Sequence, residues 1–151
     1  MENEKTIDLL NTLVRINNDR SEGYETALKE TDESDLKALF AEFARTSEKN
    51  KNELSDQIFK LGGTPTANTT VTGAFFRTWM DVKAALTGNN RKFILNSCEF
   101  GEDKALEVYD RAMNGDSAYL PIELQKLVLA QNHLIQADHD RVKVLRDALK
   151  N

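Results

Sequence analysis

Near the end of the sequence, in the stretch QADHDRVKVLRDAL, Gln136 and His139 stand three residues apart. On a helix that spacing puts an amide and an imidazole on one face. A Glu/Gln-x-x-His step of this kind is half of a carboxylate-bridged di-metal site in helical bundles. His139 also borders the apolar stripe of Leu134, Ile135, Val142 and Leu145, which turns it toward a core. Glu102 lies between Cys98 and Ala105, seven residues before Tyr109, and Asn17 stands seven before Tyr24. Iron takes anionic oxygen to balance its charge and imidazole to complete its shell, so these side chains are the ones to place.

The elements that would place them are helical. In the first, over about 6–30, Leu10, Leu13, Asn17, Tyr24 and Leu28 share a face. The residues ETDESD suit a turn and a helix start, and a second helix follows over 34–61 with Leu36, Leu39, Phe40, Phe43, Leu54 and Ile58. It stops at Gly62-Gly63 with Pro65 beyond. A short turn forces these two helices antiparallel. The segment 71–86 reads as a shorter helix bearing Phe75, Phe76, Trp79 and Met80. A third long helix covers about 90–114, with Phe93, Ile94, Cys98, Ala105, Leu106, Tyr109 and Met113 inward, and a last one covers 120–148, opened by Pro121. The plan is two helical hairpins joined by a long connection, one all-α four-helix bundle over residues 1–151. EGYETAL (22–28) also lies over EVYDRAM (107–113), a tyrosine and an alanine in register, which relates the hairpins without reference to the histidine.

Composition agrees. With 151 residues, 40% hydrophobic and 30% charged, the chain can bury one core and wet its outer faces. Two prolines and seven glycines are few for a strand-and-turn architecture. The net charge of −5, with acids and bases interspersed, leaves no footprint for nucleic acid. No apolar run reaches membrane-spanning length and the start, MENEKTIDLLNTL, is too charged for a signal peptide, so a cytoplasmic protein is expected. The single cysteine, Cys98, fits a reducing compartment and reads as inert packing.

Each apolar stripe is interrupted near its midpoint. The interruptions are Asn17 with Arg20 or Ser21 on the first helix and Ser47, Glu48 and Lys51 on the second. Glu102 interrupts the third, and Gln131, His139 and Gln136 or Ile135 the fourth. Midpoints of antiparallel helices meet at one level, so these groups should form one polar layer. An unpartnered buried polar group costs about 1–3 kcal/mol, which requires them to satisfy one another or to bind something.

The stretches EGYETA, LGGTP, GAFFRTWMDVKAALTG, GEDKALEVY and HDRVKVLRD together resemble the ferritin-like superfamily, in particular an uncharacterised bacterial group of ferritin-like four-helix-bundle proteins. The resemblance covers nearly the whole chain and implies no assigned activity. It does imply where metal ligands would stand: one Glu on the first and third helices and Glu-x-x-His on the second and fourth. Glu102 matches. Asn17, Gln136 and, with Leu54 aligned to Val142, Glu48-x-x-Lys51 depart from the pattern. Two carboxylates beside a lysine cannot neutralise two divalent ions, so a di-iron enzyme is disfavoured.

The expected function is therefore a non-enzymatic structural, interaction or stress-related bundle with no cofactor. Its metal site has given way to a polar network of Asn17, Glu48, Lys51, Glu102, Gln136 and His139, with the Lys51 ammonium held by Glu48 and Glu102. The alternative is a metal-binding or oxidoreductase protein with one Zn or Fe ion on Glu102, His139 and a further carboxylate, Glu48, Glu22 or Glu99. The aromatic cluster Phe75, Phe76, Trp79 and Met80 is the expected surface for a homodimer or another protein partner. Trp79→Ala should slow sedimentation toward the monomer value while helical circular dichroism stays unchanged. Loss of both signals together would assign the cluster to folding instead.

Overall fold

The structure, a computed structural model, describes residues 2–68, 91–114 and 120–149. Among these residues all regular structure is helical: α1 (Glu2–Glu30), α2 (Ser34–Lys60), α3 (Arg91–Asn114) and α4 (Ile122–Asp147). The shorter helix expected over 71–86, with its candidate interface residues Phe75, Phe76, Trp79 and Met80, lies outside the described residues. No helix among those described is long and apolar enough to cross a membrane.

The helices pack in pairs, α1 on α2 and α3 on α4, with looser seams between α1 and α3 and between α2 and α4. Contacts across each seam run in opposite senses along the two helices. Arg20 meets Ser47 while Asn17 meets Asn50, and Tyr24 meets Glu102 while Asn17 meets Tyr109. Asp103 meets His139 while Asp110 meets Asn132. Gln131 reaches Glu53 while Arg141 reaches Glu42. Every neighbouring pair is thus antiparallel. Arg91, at the start of α3, bonds Glu33 and Asp35 at the α1–α2 turn, so α3 begins at the end of the bundle opposite the end of α2.

Among the described residues, two apolar clusters form the core. One joins Leu10, Leu13, Leu54, Ile58, Tyr109, Val128 and Ile135 with their neighbours. The other gathers Tyr24, Leu36, Phe40, Phe43, Ile94, Cys98 and Val142. Within the second, the Tyr24 ring stacks on Phe40 and meets Phe43 edge-on. Phe93 was expected inward but is exposed, because the α3 stripe runs through Ile94, Leu95 and Cys98, one position on.

The end of α2 is fixed by its glycines. Gly62 takes φ +87°, a left-handed conformation open to glycine at no steric cost. Its N–H donates to the Phe59 carbonyl and the Gly63 N–H to the Ile58 carbonyl, which is the Schellman stop. Gly63 sits so close to Ile7 and Ile58 that an added Cβ would come within 2.9 Å and 3.1 Å of them. The chain beyond is tied back to α1: Asn11 Nδ2 donates to the Thr64 carbonyl, and Asn18 Nδ2 to those of Thr66 and Asn68. Gly63→Ala should therefore lower unfolding free energy by about 1–3 kcal/mol in urea titration, as overpacked sites do. A change within the error of the titration would show that Ile7 yields freely.

Candidate functional site

The level between the two apolar clusters is polar, and its centre is Arg20. This side chain is fully buried and contacts one residue from each of the other three helices. Its Nε donates to Glu102 Oε2 at 2.8 Å and its Nη2 to Glu102 Oε1 at 2.6 Å, a two-pronged pairing. Nη1 donates to Ser47 Oγ at 2.5 Å, and Nη2 also reaches Asp138 Oδ2 at 3.1 Å. The Tyr24 hydroxyl donates to Glu102 Oε1 at 2.6 Å, and the Tyr24 ring also lies against the guanidinium. Burial alone would lower the Arg20 pKa, but the facing Glu102 charge outweighs it and the group stays cationic. The same burial, with Glu102 nearby, raises the Tyr24 hydroxyl and the Cys98 thiol well above their ordinary values.

One step along the bundle lies a neutral layer. Asn17 Nδ2 donates to the Tyr109 hydroxyl at 2.7 Å, and that hydroxyl donates to Gln131 Oε1 at 2.7 Å. Gln131 Nε2 donates to the Asn50 carbonyl and to Glu53, and Asn50 Nδ2 donates to Asn17 Oδ1. Among the described residues Asn50 Oδ1 is the buried side-chain acceptor left without a hydrogen bond. The two tyrosines cross. Tyr24 of α1 bonds Glu102, seven residues before Tyr109, and Tyr109 of α3 bonds Asn17, seven residues before Tyr24.

Of the residues singled out from sequence, Asn17, Arg20, Ser47, Glu102 and Gln131 lie in this interior. Lys51, Glu48, Gln136 and His139 do not. The Lys51 side chain retains 31% of its exposure and pairs with Glu48 at 2.9 Å on the outer surface of α2. Ser21 donates to Glu48 there, and these two bonds hold the Glu48 carboxyl below its ordinary value against the opposing effect of partial burial. Gln136 is exposed. His139 lies on the outer α3–α4 seam, with Nε2 2.7 Å from Asp103 and 3.9 Å from Glu99, and Nδ1 3.2 Å from Asp140. The expected Lys51 counter-ion is therefore corrected to Arg20. The reason is helical phase: on α2 the inward pair is Ser47-x-x-Asn50, and on α4 it is Ile135-x-x-Asp138. Each lies one residue before the expected pair, and a one-residue shift turns a side chain by about 100°.

This donor set does not fit a metal. Both oxygens of Glu102 are engaged by a fixed cation, and the neighbouring layer offers neutral amides and a phenol. His139 meets Asp103 and Asp140 while Glu102 is taken by Arg20 and Tyr24, Glu99 pairs with Arg146, and Glu22 is exposed. Among the described residues no three His, Cys, Asp or Glu side chains gather closely enough to hold an ion.

Sequence reasoning missed Asp138 and left Arg20 open against Ser21. The signal was present in the stripe of α4, where Leu124, Val128, Gln131, Ile135, Asp138 and Val142 keep a strict alternation of four and three. Asp138 is nearly buried, and burial raises its pKa from an ordinary 3.8 to about 6 against the opposing pull of Arg20; Glu102 pushes it the same way as burial.

Residues 5–115 match the family described as a domain of unknown function, DUF2383, and the chain belongs to that family. The match spans α1 to α3; α4, which supplies Gln131 and Asp138, lies beyond it. Comparison with curated proteins returned no match.

The raised Asp138 value has a definite sign. Between the unfolded and folded pKa values the folded chain holds a proton that the unfolded chain has released, so stability falls as pH rises through that window. Asp138→Asn removes the effect. The stability of the variant relative to the parent should climb by up to about 3 kcal/mol from pH 4 to pH 7, at about 1.4 kcal/mol per pKa unit. Paired urea titrations would measure it, and a relative stability that falls over this range would mean that the pairing with Arg20 dominates.

Proposed function

We propose, for a member of a family with no assigned activity, that this chain is a non-enzymatic structural or interaction bundle of ferritin-like type. In it a guanidinium stands where such bundles hold metal. One observation carries the reading: the two-pronged pairing of fully buried Arg20 with Glu102. Of the metal-ligand positions the sequence retains, Glu48, Glu102 and His139, the Glu102 carboxylate of the third helix is the one turned into the bundle core, and here both its oxygens answer to a cation that cannot exchange. The antiparallel order of neighbours, with α3 starting at the α1–α2 turn, supports the ferritin-like topology. With a side chain as its counter-ion, Glu102 needs no metal to balance its charge. What remains for partners is the outside of the bundle.

The test pairs composition with stability. Freshly purified, untagged protein should carry iron and zinc far below one ion per chain. Arg20→Met should cost about 3–5 kcal/mol, since it strands Glu102 and Asp138 as buried, unpaired charges. Lys51→Met should stay within the 0–1 kcal/mol of an exposed pair. A stoichiometric metal lost on Glu102→Gln, or a Lys51→Met penalty equal to that of Arg20→Met, would falsify the reading.

A further inference from the structure

We infer that the α1–α3 seam carries a binding groove for a small amphiphilic anion, an alkyl chain bearing a carboxylate or phosphate head. Between residues near the start of α1 and the end of α3 lies a groove of about 500 Å³, within the range of small-molecule sites. Its floor is Leu9, Val108 and Ala112, and its rim is Lys5, Asp8, Thr12 and Arg111. The apolar and polar parts are segregated by helical spacing. Leu9 sits between the rim positions 5, 8 and 12 of α1, and Val108 and Ala112 flank Arg111 on α3.

The rim sets Lys5 and Arg111 beside Asp8, and of these Arg111 is the cation the proposal uses. Arg111 is exposed. Arg20, Arg91, Arg141 and Arg146 are all committed to carboxylates, whereas among the described residues no such pairing holds Arg111. An arginine above an apolar floor suits an anionic head whose tail leaves water, because the guanidinium can hold two oxygens of a carboxylate or phosphate together. The groove is recessed between two helices, which favours a free monomeric ligand over a membrane surface. This site lies outside the polar core and does not depend on the reading of Arg20.

Titration of laurate into the intact protein, followed by calorimetry and by amide shifts of residues 5–12 and 108–112, tests the inference. Laurate should bind with local shifts, and dodecyltrimethylammonium and inorganic phosphate should not, the first lacking the right charge and the second the tail. Arg111→Glu should weaken laurate about tenfold or more, the loss expected for one charge-assisted bond, with circular dichroism and melting unchanged. Val108→Gln, which spoils the floor and spares the charge, should also weaken it. Equal affinity for the cationic amphiphile, binding indifferent to both substitutions, binding only to anionic vesicles, or no binding would each overturn the proposal.

Discussion

A guanidinium removed from water has to be matched at once, and the arrangement around Arg20 follows from that need. Its donors reach Ser47 on α2, Glu102 on α3 and Asp138 on α4, so one side chain of α1 touches each of the other three described helices. Such pairs are weak sources of net stability, because desolvation of the two ions consumes most of their attraction. What they supply is an energetic distinction between arrangements. Sliding α3 by one heptad against α1 would bring Leu95 or Tyr109 to the level of Glu102 and leave the guanidinium facing groups that cannot neutralise it. The apolar stripes alone would tolerate that slip, since both sides would still bury leucine, isoleucine and alanine.

The placement of the two apolar clusters is the counterpart of this constraint. They lie on either side of the polar level and are joined through the aromatic rings of Tyr24 and Tyr109, each of which packs with one cluster and sends its hydroxyl into the polar level. A phenol suits that boundary because its body is apolar and its tip must find a partner. Burial raises both hydroxyls well above their ordinary values, so both remain donors. The polar level is in this way closed from both sides by donors that do not titrate near neutrality.

Much of the fold was legible because long helices repeat one signal many times. The limits of α2, the Gly62-Gly63 stop and the antiparallel hairpins all follow from patterns several residues long, in which one misread position is outvoted. The site was less legible because it rests on single positions. At mid-bundle the apolar residues that report the phase give way to polar ones, and Glu48 and Lys51 compete with Ser47 and Asn50 for the same reading. The more chemically conspicuous residues, Lys51 and His139, drew the assignment toward themselves, although they lie one step round the helix. Carrying the spacing of Phe40 and Phe43 through to Leu54 and Ile58 keeps Ser47, already placed inward, and adds Asn50 in place of Glu48 and Lys51. Glu102 was legible because Cys98, Ala105 and Tyr109 confine it closely.

The repeat between the hairpins explains why the charge is unequal across the core. Equivalent positions four before each tyrosine hold Arg20 on α1 and Ala105 on α3, and those seven before hold Asn17 and Glu102. One tyrosine crossing is therefore ionic and the other neutral, although their geometry is alike. The ionic crossing has one cation for two carboxylates. Glu102, at its centre and fully buried, has the two-pronged pairing and the Tyr24 hydroxyl. Asp138 has a single longer bond to the same guanidinium and a side chain that keeps 9% of its exposure. The uncompensated charge thus settles on the carboxylate nearer to water, where neutralisation by a proton is least disruptive. A second buried cation would have removed this asymmetry, but Lys51 faces outward and Ala105 brings none.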